Sequence, residues 1–340
     1  MKNRTFRIVT ALALALLMTL ALAACGKETA APVETSVPTV EPELDTALPV
    51  NVMVLNGTTG FGMAGLIADA AAGDAALNYS FSVETDASNI TAALVSGACD
   101  IAALPTNAAA ALYNKTGGAV QVLALNTLGV LYVVTDGTEE ISSFADLDGK
   151  TVFVPAQNPT FIFQYLCKAN GVNAVIDNTY AQPAELNAAV SAGEVSIAVL
   201  PEPMVTVARA ANDQLTVALD FTAEWDKVAE PGSLVQGCAV VRTEFAAAHP
   251  AEVAKFLAEY AASVDLLRAD PAAAAQKIEE TGVFAKAAVA EKAIPNCNVC
   301  FITGSEMQQA LSAFLEIMYE TAPDSIGGAV PGDDFYCILK

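Results

Sequence analysis

A chain of 340 residues is long enough for two lobes with full cores, and its 54% hydrophobic content suits a compact, helix-rich α/β protein rather than a disordered one. The net charge is −22 with only 16 Lys plus Arg, and no cluster of basic residues is present that could displace nucleic-acid counterions. Nucleic-acid binding is therefore excluded, and the acidity reads as a solubilising surface charge that also repels anions at long range.

Residues 1–24 read as a targeting segment. Lys2, Arg4 and Arg7 form a basic start, and Ile8 to Ala21 is an apolar run of 14 residues, too short to span a bilayer comfortably. The run ends in Leu22-Ala23-Ala24-Cys25-Gly26. This resembles the lipobox of bacterial lipoproteins, which implies lipidation of Cys25 and removal of residues 1–24. Residues 25–49 then form the lipidated cysteine and a flexible tether, because the stretch is rich in Pro, Thr and Glu and has no apolar period.

The globular part opens at Val50. Val50 to Leu55 reads as a strand, Asn56 to Gly60 as a turn, and Phe61 to Ala72 as a helix. Tyr79 to Glu84 alternates as a second strand. Residues 90–109, ITAALVSGACDIAALPTNAA, then begin a pattern that returns at 186–205, LNAAVSAGEVSIAVLPEPMV. At an offset of 96 the copies share Gly97/Gly193, Ile101/Ile197, Ala102/Ala198, Leu104/Leu200 and Pro105/Pro201. Each copy reads as a small-residue helix, a Gly stop, a short apolar strand, and a Pro opening a second helix.

Between the copies, Val120 to Leu125 is a strand, and Gly129 to Thr135 (GVLYVVT) is a buried run that crosses between lobes. Ser142 to Lys150 makes a capped turn, Thr151 to Val154 a strand, and Phe161 to Asn170 a helix. After the second copy, Gly237 to Arg242 reads as a strand returning to lobe one, and helices near 250–268, 271–280, 285–292 and 304–321 complete the chain. The domains are thus 50–131 and 239–340 for lobe one and 132–238 for lobe two, with crossings near 130–136 and 236–242.

Beyond Cys25, six cysteines remain, and most lie in apolar surroundings that suit buried free thiols. Cys297-Asn298-Val299-Cys300 is a lone CxxC in strand-like sequence, and a zinc site would need two further ligands. The single His249 precedes Pro250 as a helix-start residue and cannot supply a triad. The only tryptophan, Trp225, packs within its own lobe or lies in a binding site.

Three segments, SGACDIAALPTNAAA, SSFADLDGKTVFVP and AGEVSIAVLPEPMVT, carry a family resemblance over about residues 50–340. The organisation resembles the type 2 periplasmic-binding-protein fold: two α/β lobes joined by two crossings with a ligand cleft between them. More narrowly, it resembles the substrate-binding lipoproteins of ABC importers for nitrate, sulfonates, taurine and thiamine-pyrimidine precursors. Ser196 stands where that group commonly has Asp. The resemblance implies a monomeric, lipid-anchored protein on the extracytoplasmic side of the cell membrane, with a small-molecule ligand, ABC permease and ATPase partners, and no cofactor, metal or catalysis. An enzyme on the same fold, of the pyrimidine-precursor or menaquinone-pathway type, and a ligand-sensing surface lipoprotein are the alternatives.

Ligands in such folds meet the loops beyond the strand ends. The candidate ligand-binding residues are Asn56, Thr58, Thr59 and Phe61 from the first loop, and Thr106 and Asn107 from the second. Gln157, Asn158 and Thr160 come from the third loop, and Glu202 from the fourth. None of these loops holds Arg or Lys, so a neutral or partly cationic ligand is expected, with an amine or ring N–H donating to Glu202 and Phe61 or Trp225 available for stacking. For the anchor, Cys25→Ser should move the protein from the membrane to the soluble fraction; equal retention on fractionation would contradict lipidation.

Overall fold

The computed structural model describes residues 43–339, so the expected signal peptide, Cys25 and the tether before Glu43 lie outside it. Two mixed sheets organise the described chain. The first has six strands in the order β11-β4-β10-β3-β1-β2: β1 Pro49–Leu55, β2 Asn78–Glu84, β3 Ile101–Pro105, β4 Val120–Leu128, β10 Val235–Arg242 and β11 Val299–Ile302. The second has five in the order β7-β6-β8-β5-β9: β5 Leu131–Thr135, β6 Thr151–Phe153, β7 Val175–Asp177, β8 Ile197–Pro201 and β9 Thr216–Asp220.

The sheets share one plan. In each, a middle strand runs parallel to two neighbours, β1 with β2 and β3, and β6 with β7 and β8. The next strand is antiparallel, β10 against β3 and β5 against β8. The sequence repeat fills equivalent places, with β3 and β8 each flanked by helices: Ala87–Ser96 and Thr106–Thr116 in one sheet, Pro183–Ser191 and Met204–Ala211 in the other. Local signals fix these helices. Asp86 caps the first by accepting the Ser88 N–H at 2.8 Å, and Gln182 with Glu185 makes a capping box on the third.

The chain changes sheet twice, from β4 to β5 and from β9 to β10, which produces two crossings. The first is only Gly129 and Val130, because β4 ends at Leu128 and β5 begins at Leu131. The second runs from the helix Phe221–Trp225 to β10, which pairs with β4 from Val235 onward. Both changes of sheet therefore occur a few residues before the positions expected from sequence. The apolar run from Gly129 is continuous through the change of sheet and does not mark it.

The crossings pack on each other. A side-chain carbon on Gly129 would overlap Thr222 Oγ1 and lie 2.6 Å from Leu234 Cδ2. Val130 N–H donates to Gln236 Oε1 at 2.7 Å. One hydrophobic core runs through both sheets here, joining Leu104 and Leu125 to Val133, Val199 and Trp225. Trp225 is fully buried, with its ring 4.7 Å from Tyr165 and 5.8 Å from Phe314 and its Nε1–H donating to Ser233 Oγ at 2.8 Å. It is a packing residue between the sheets and is closed to a stacking ligand.

The expected helix from Phe61 to Ala72 is broken into Thr58–Phe61 and Ala64–Ala72. Ser263 of the long helix Pro250–Ala269 bridges the break, donating to Gly62 O at 2.6 Å and accepting the Leu66 N–H at 3.1 Å. Gly129→Ala should destabilise the protein by about 1–3 kcal/mol in urea denaturation followed by circular dichroism, because there is no volume for one methyl group. An unchanged midpoint would contradict the packed crossing.

Candidate functional site

The ends of the two repeat strands converge on the crossings. After β3, Thr106 is fully buried and its Oγ1 donates to Val235 O at 2.7 Å. After β8, Glu202 N–H donates to Val130 O at 2.9 Å. Val130 is in turn bonded to Gln236, so both strand ends are tied to one small cluster of backbone.

Two cavities open at this junction. The first, about 390 Å³, is lined by Asn107, Ala111 and Lys115, spaced at one-turn intervals along the helix Thr106–Thr116, with Thr91 beside them and Gln157 facing from the second sheet's side. Asp324 and Ser325, near the C-terminus, complete its wall. Asn107 is 8% exposed, and its Oδ1 has no hydrogen-bond partner. Gln157 is exposed and sits at φ +68°, ψ −131°, a backbone conformation costly for any residue except glycine.

The second cavity, about 480 Å³, is lined by Glu202, Thr206 and Arg209 on one side and Lys292 and Asn296 on the other, with Tyr132 beneath. Glu202 is buried and already partnered: it accepts Thr206 N–H at 3.1 Å and Thr206 Oγ1–H at 3.0 Å. Tyr132 O–H donates to Asn296 O at 2.8 Å, which links the two sides. Burial pushes the Glu202 carboxyl above its ordinary value, against the lowering effect of the Thr206 and Asn296 hydrogen bonds and the Arg209 charge.

Of the residues expected at the site, the structure brings Asn107 and Gln157 to one cavity and places Glu202 in the other. Thr160 is buried and occupied, donating to Pro155 O at 2.8 Å and accepting from Asn178 Nδ2 at 2.8 Å. Asn158 is buried with an unpartnered Oδ1. Asn56 is exposed and Thr58 and Thr59 are half-buried at the end of β1; none of them lines either cavity. Phe61 is closed to stacking: it is buried in the core, edge-on to Phe284 at 6.1 Å. Phe284 lies in the turn after the helix Pro271–Glu280, a contact that local sequence does not reveal.

The four loops hold no Arg or Lys, but cations further along the helices reach the cavities. Lys115 lines the first cavity, and Arg209 and Lys292 line the second. Lys115 lies two helical turns beyond Asn107, on the same face of its helix. No sequence signal tied Asp324 or Ser325 to this place.

Residues 73–274 match the family model described as NMT1/THI5 like. No curated protein matches the chain in sequence. Among solved structures, an ABC transporter protein from Parabacteroides distasonis aligns at 23% identity and a TM-score of 0.74, over 87% of this chain and 100% of that one. The periplasmic aliphatic sulphonate binding protein of Escherichia coli aligns at 14% identity and 0.67, over 86% and 94%. The ligand binding component of an ABC-type import system from Staphylococcus aureus, solved with zinc bound, aligns at 15% identity and 0.65, over 85% and 96%. These likenesses show the type 2 periplasmic-binding-protein fold.

The raised carboxyl of Glu202 makes a pH-dependent prediction. The folded protein holds that proton more tightly than the unfolded chain, so the stability linked to Glu202 is full below the unfolded value and is lost as pH rises through the folded one. Glu202→Gln buries no charge: its amide oxygen can accept the Thr206 N–H and its amide nitrogen can donate to Thr206 Oγ1. Its thermal midpoint should exceed that of the parent at pH 7, and the gap should close as pH falls below the carboxylate range. A gap independent of pH would contradict the assignment.

Proposed function

Because the chain belongs to the NMT1/THI5-like family, we propose that it is the solute-binding component of an ABC importer, which captures a small molecule between two lobes. Each lobe is built on one of the two sheets, the chain passing between them at Gly129–Val130 and again before Val235, with the paired crossings as the hinge. Cys25 anchors the protein to the outer face of the cell membrane, and the permease and ATPase subunits receive the solute.

One observation carries this reading: Asn107 and Gln157, from opposite sides of the junction, line a single cavity of about 390 Å³. That volume suits a small solute. The unpartnered Asn107 Oδ1 supports it, because buried polar atoms are almost always hydrogen-bonded and a solute would supply the missing donor. The lining groups are amides, hydroxyls and single charges, which bind and orient rather than catalyse. The only histidine lies tilted against Phe245, 4.9 Å away, and lines neither cavity. The neighbours' names, an ABC transporter protein and the ligand binding component of an ABC-type import system, point the same way.

The test is to purify the protein from its native source, identify the co-purifying compound by mass spectrometry, and titrate it back. At 100 times its dissociation constant it should add about 2.7 kcal/mol of stability. Gln157→Gly should separate binding from folding. Relief of the strained backbone should raise stability by about 1 kcal/mol in urea, while calorimetry shows weaker binding of the compound. A loss of stability, or full affinity in this variant, would remove Gln157 from the site.

A further inference from the structure

The C-terminal segment doubles back along the helix that carries Asn107 and Lys115. Asn114 Nδ2 donates to Ile326 O at 2.6 Å and Ala329 O at 2.7 Å. Tyr113 O–H donates to Asp334 Oδ1 at 2.6 Å, and Cys337 N–H donates to Val122 O at 2.9 Å. Ile326 and Phe335 are fully buried beneath the segment. Gly327 lies at φ +82°, and a side-chain carbon there would come within 2.9 Å of Asn114 Cβ and 3.1 Å of Ala111 Cα. Only glycine meets both conditions. These contacts seat the short turn Pro323–Ile326 against the cavity, where Asp324 and Ser325 form part of the wall.

Two polar atoms of this wall are buried without partners: Asn107 Oδ1 from the helix and Ser325 Oγ from the turn. The first accepts only, so its missing partner is a donor. Two opposite charges, Lys115 and Asp324, also line the cavity, and among the described residues neither takes part in an ion pair. A simple anion there would meet Asp324, and a simple cation would meet Lys115. A molecule with both charges complements the pair.

We propose that the turn Pro323–Ile326 is a ligand-binding element, that Asp324 and Ser325 determine specificity, and that the solute is a small zwitterion. Its cationic amine faces Asp324 and Asn107, its anionic group faces Lys115, and Ser325 Oγ bonds a polar atom between them. This rests on the reading of the Asn107 cavity as the solute site.

The experiment is calorimetric titration of the full-length protein with amino carboxylates, amino sulfonates and amino phosphonates. Each is paired with its des-amino anion and with the amine lacking the acidic group. At least one zwitterion should bind about tenfold or more tightly than both its partners, the discrimination that about 1.4 kcal/mol of charge complementarity provides. Asp324→Asn should bring zwitterion and des-amino anion to similar affinity. Ser325→Ala should weaken the zwitterion without lowering the thermal midpoint of the empty protein, because it removes an unpartnered hydroxyl. Equal affinity for a zwitterion and its singly charged partners, or an unchanged preference in Asp324→Asn, would overturn the proposal. If a neutral or singly charged compound binds and Asn107→Ala weakens it, the solute-binding reading stands and the role of the turn falls. If neither the panel nor any co-purified compound binds, both fall.

Discussion

The structure depends on the close approach of its two crossings. Gly129 lies where any side chain would collide with Thr222 and Leu234, and Val130 exchanges bonds with Gln236 on one side and Glu202 on the other. Thr106 ties the end of β3 to Val235 in the same cluster. β5 and β10 each lie in the sheet opposite to the strand before them, so the chain changes sheet at this junction both times. The shared core through Trp225 and Phe314 adds apolar burial to the same place.

That constraint sorts the polar residues at the strand ends. Those nearest the crossings are used up in holding them: Thr106 bonds Val235 and Glu202 holds Thr206. Burying the Glu202 carboxylate is costly, and its hydrogen bonds offset that cost within the chain. One position further on, Asn107 is free of such duties, and its oxygen is left without a partner. The strained backbone of Gln157 faces the same cavity. Backbone strain of this kind persists where surrounding structure enforces it and often marks a site of function.

The repeat was legible because its signals are local. Glycine stops at Gly97 and Gly193 and the apolar strands at Ile101 and Ile197 follow from short-range chemistry, and both copies form equivalent strands. The positions of the crossings were less legible, since an apolar run does not reveal which sheet its residues join. The site was legible in part. Asn107 and Gln157 follow from the rule that ligands meet strand-end loops, but Thr106 and Thr160 belong to residue types that serve backbone and ligand equally well. Phe61 is closed to a ligand because Phe284, from a turn more than two hundred residues later, packs against it. Lys115 was within reach of helical periodicity, whereas Asp324 and Ser325 reach the cavity only through tertiary folding of the C-terminal segment.

The central claim is that a solute sits between Asn107 and Gln157 at the hinged junction. Its most direct test is a crystal structure of the protein with its co-purified solute. The account predicts solute density in hydrogen-bonding contact with both residues. Solute density confined to the cavity of Glu202, Arg209 and Lys292 would contradict it.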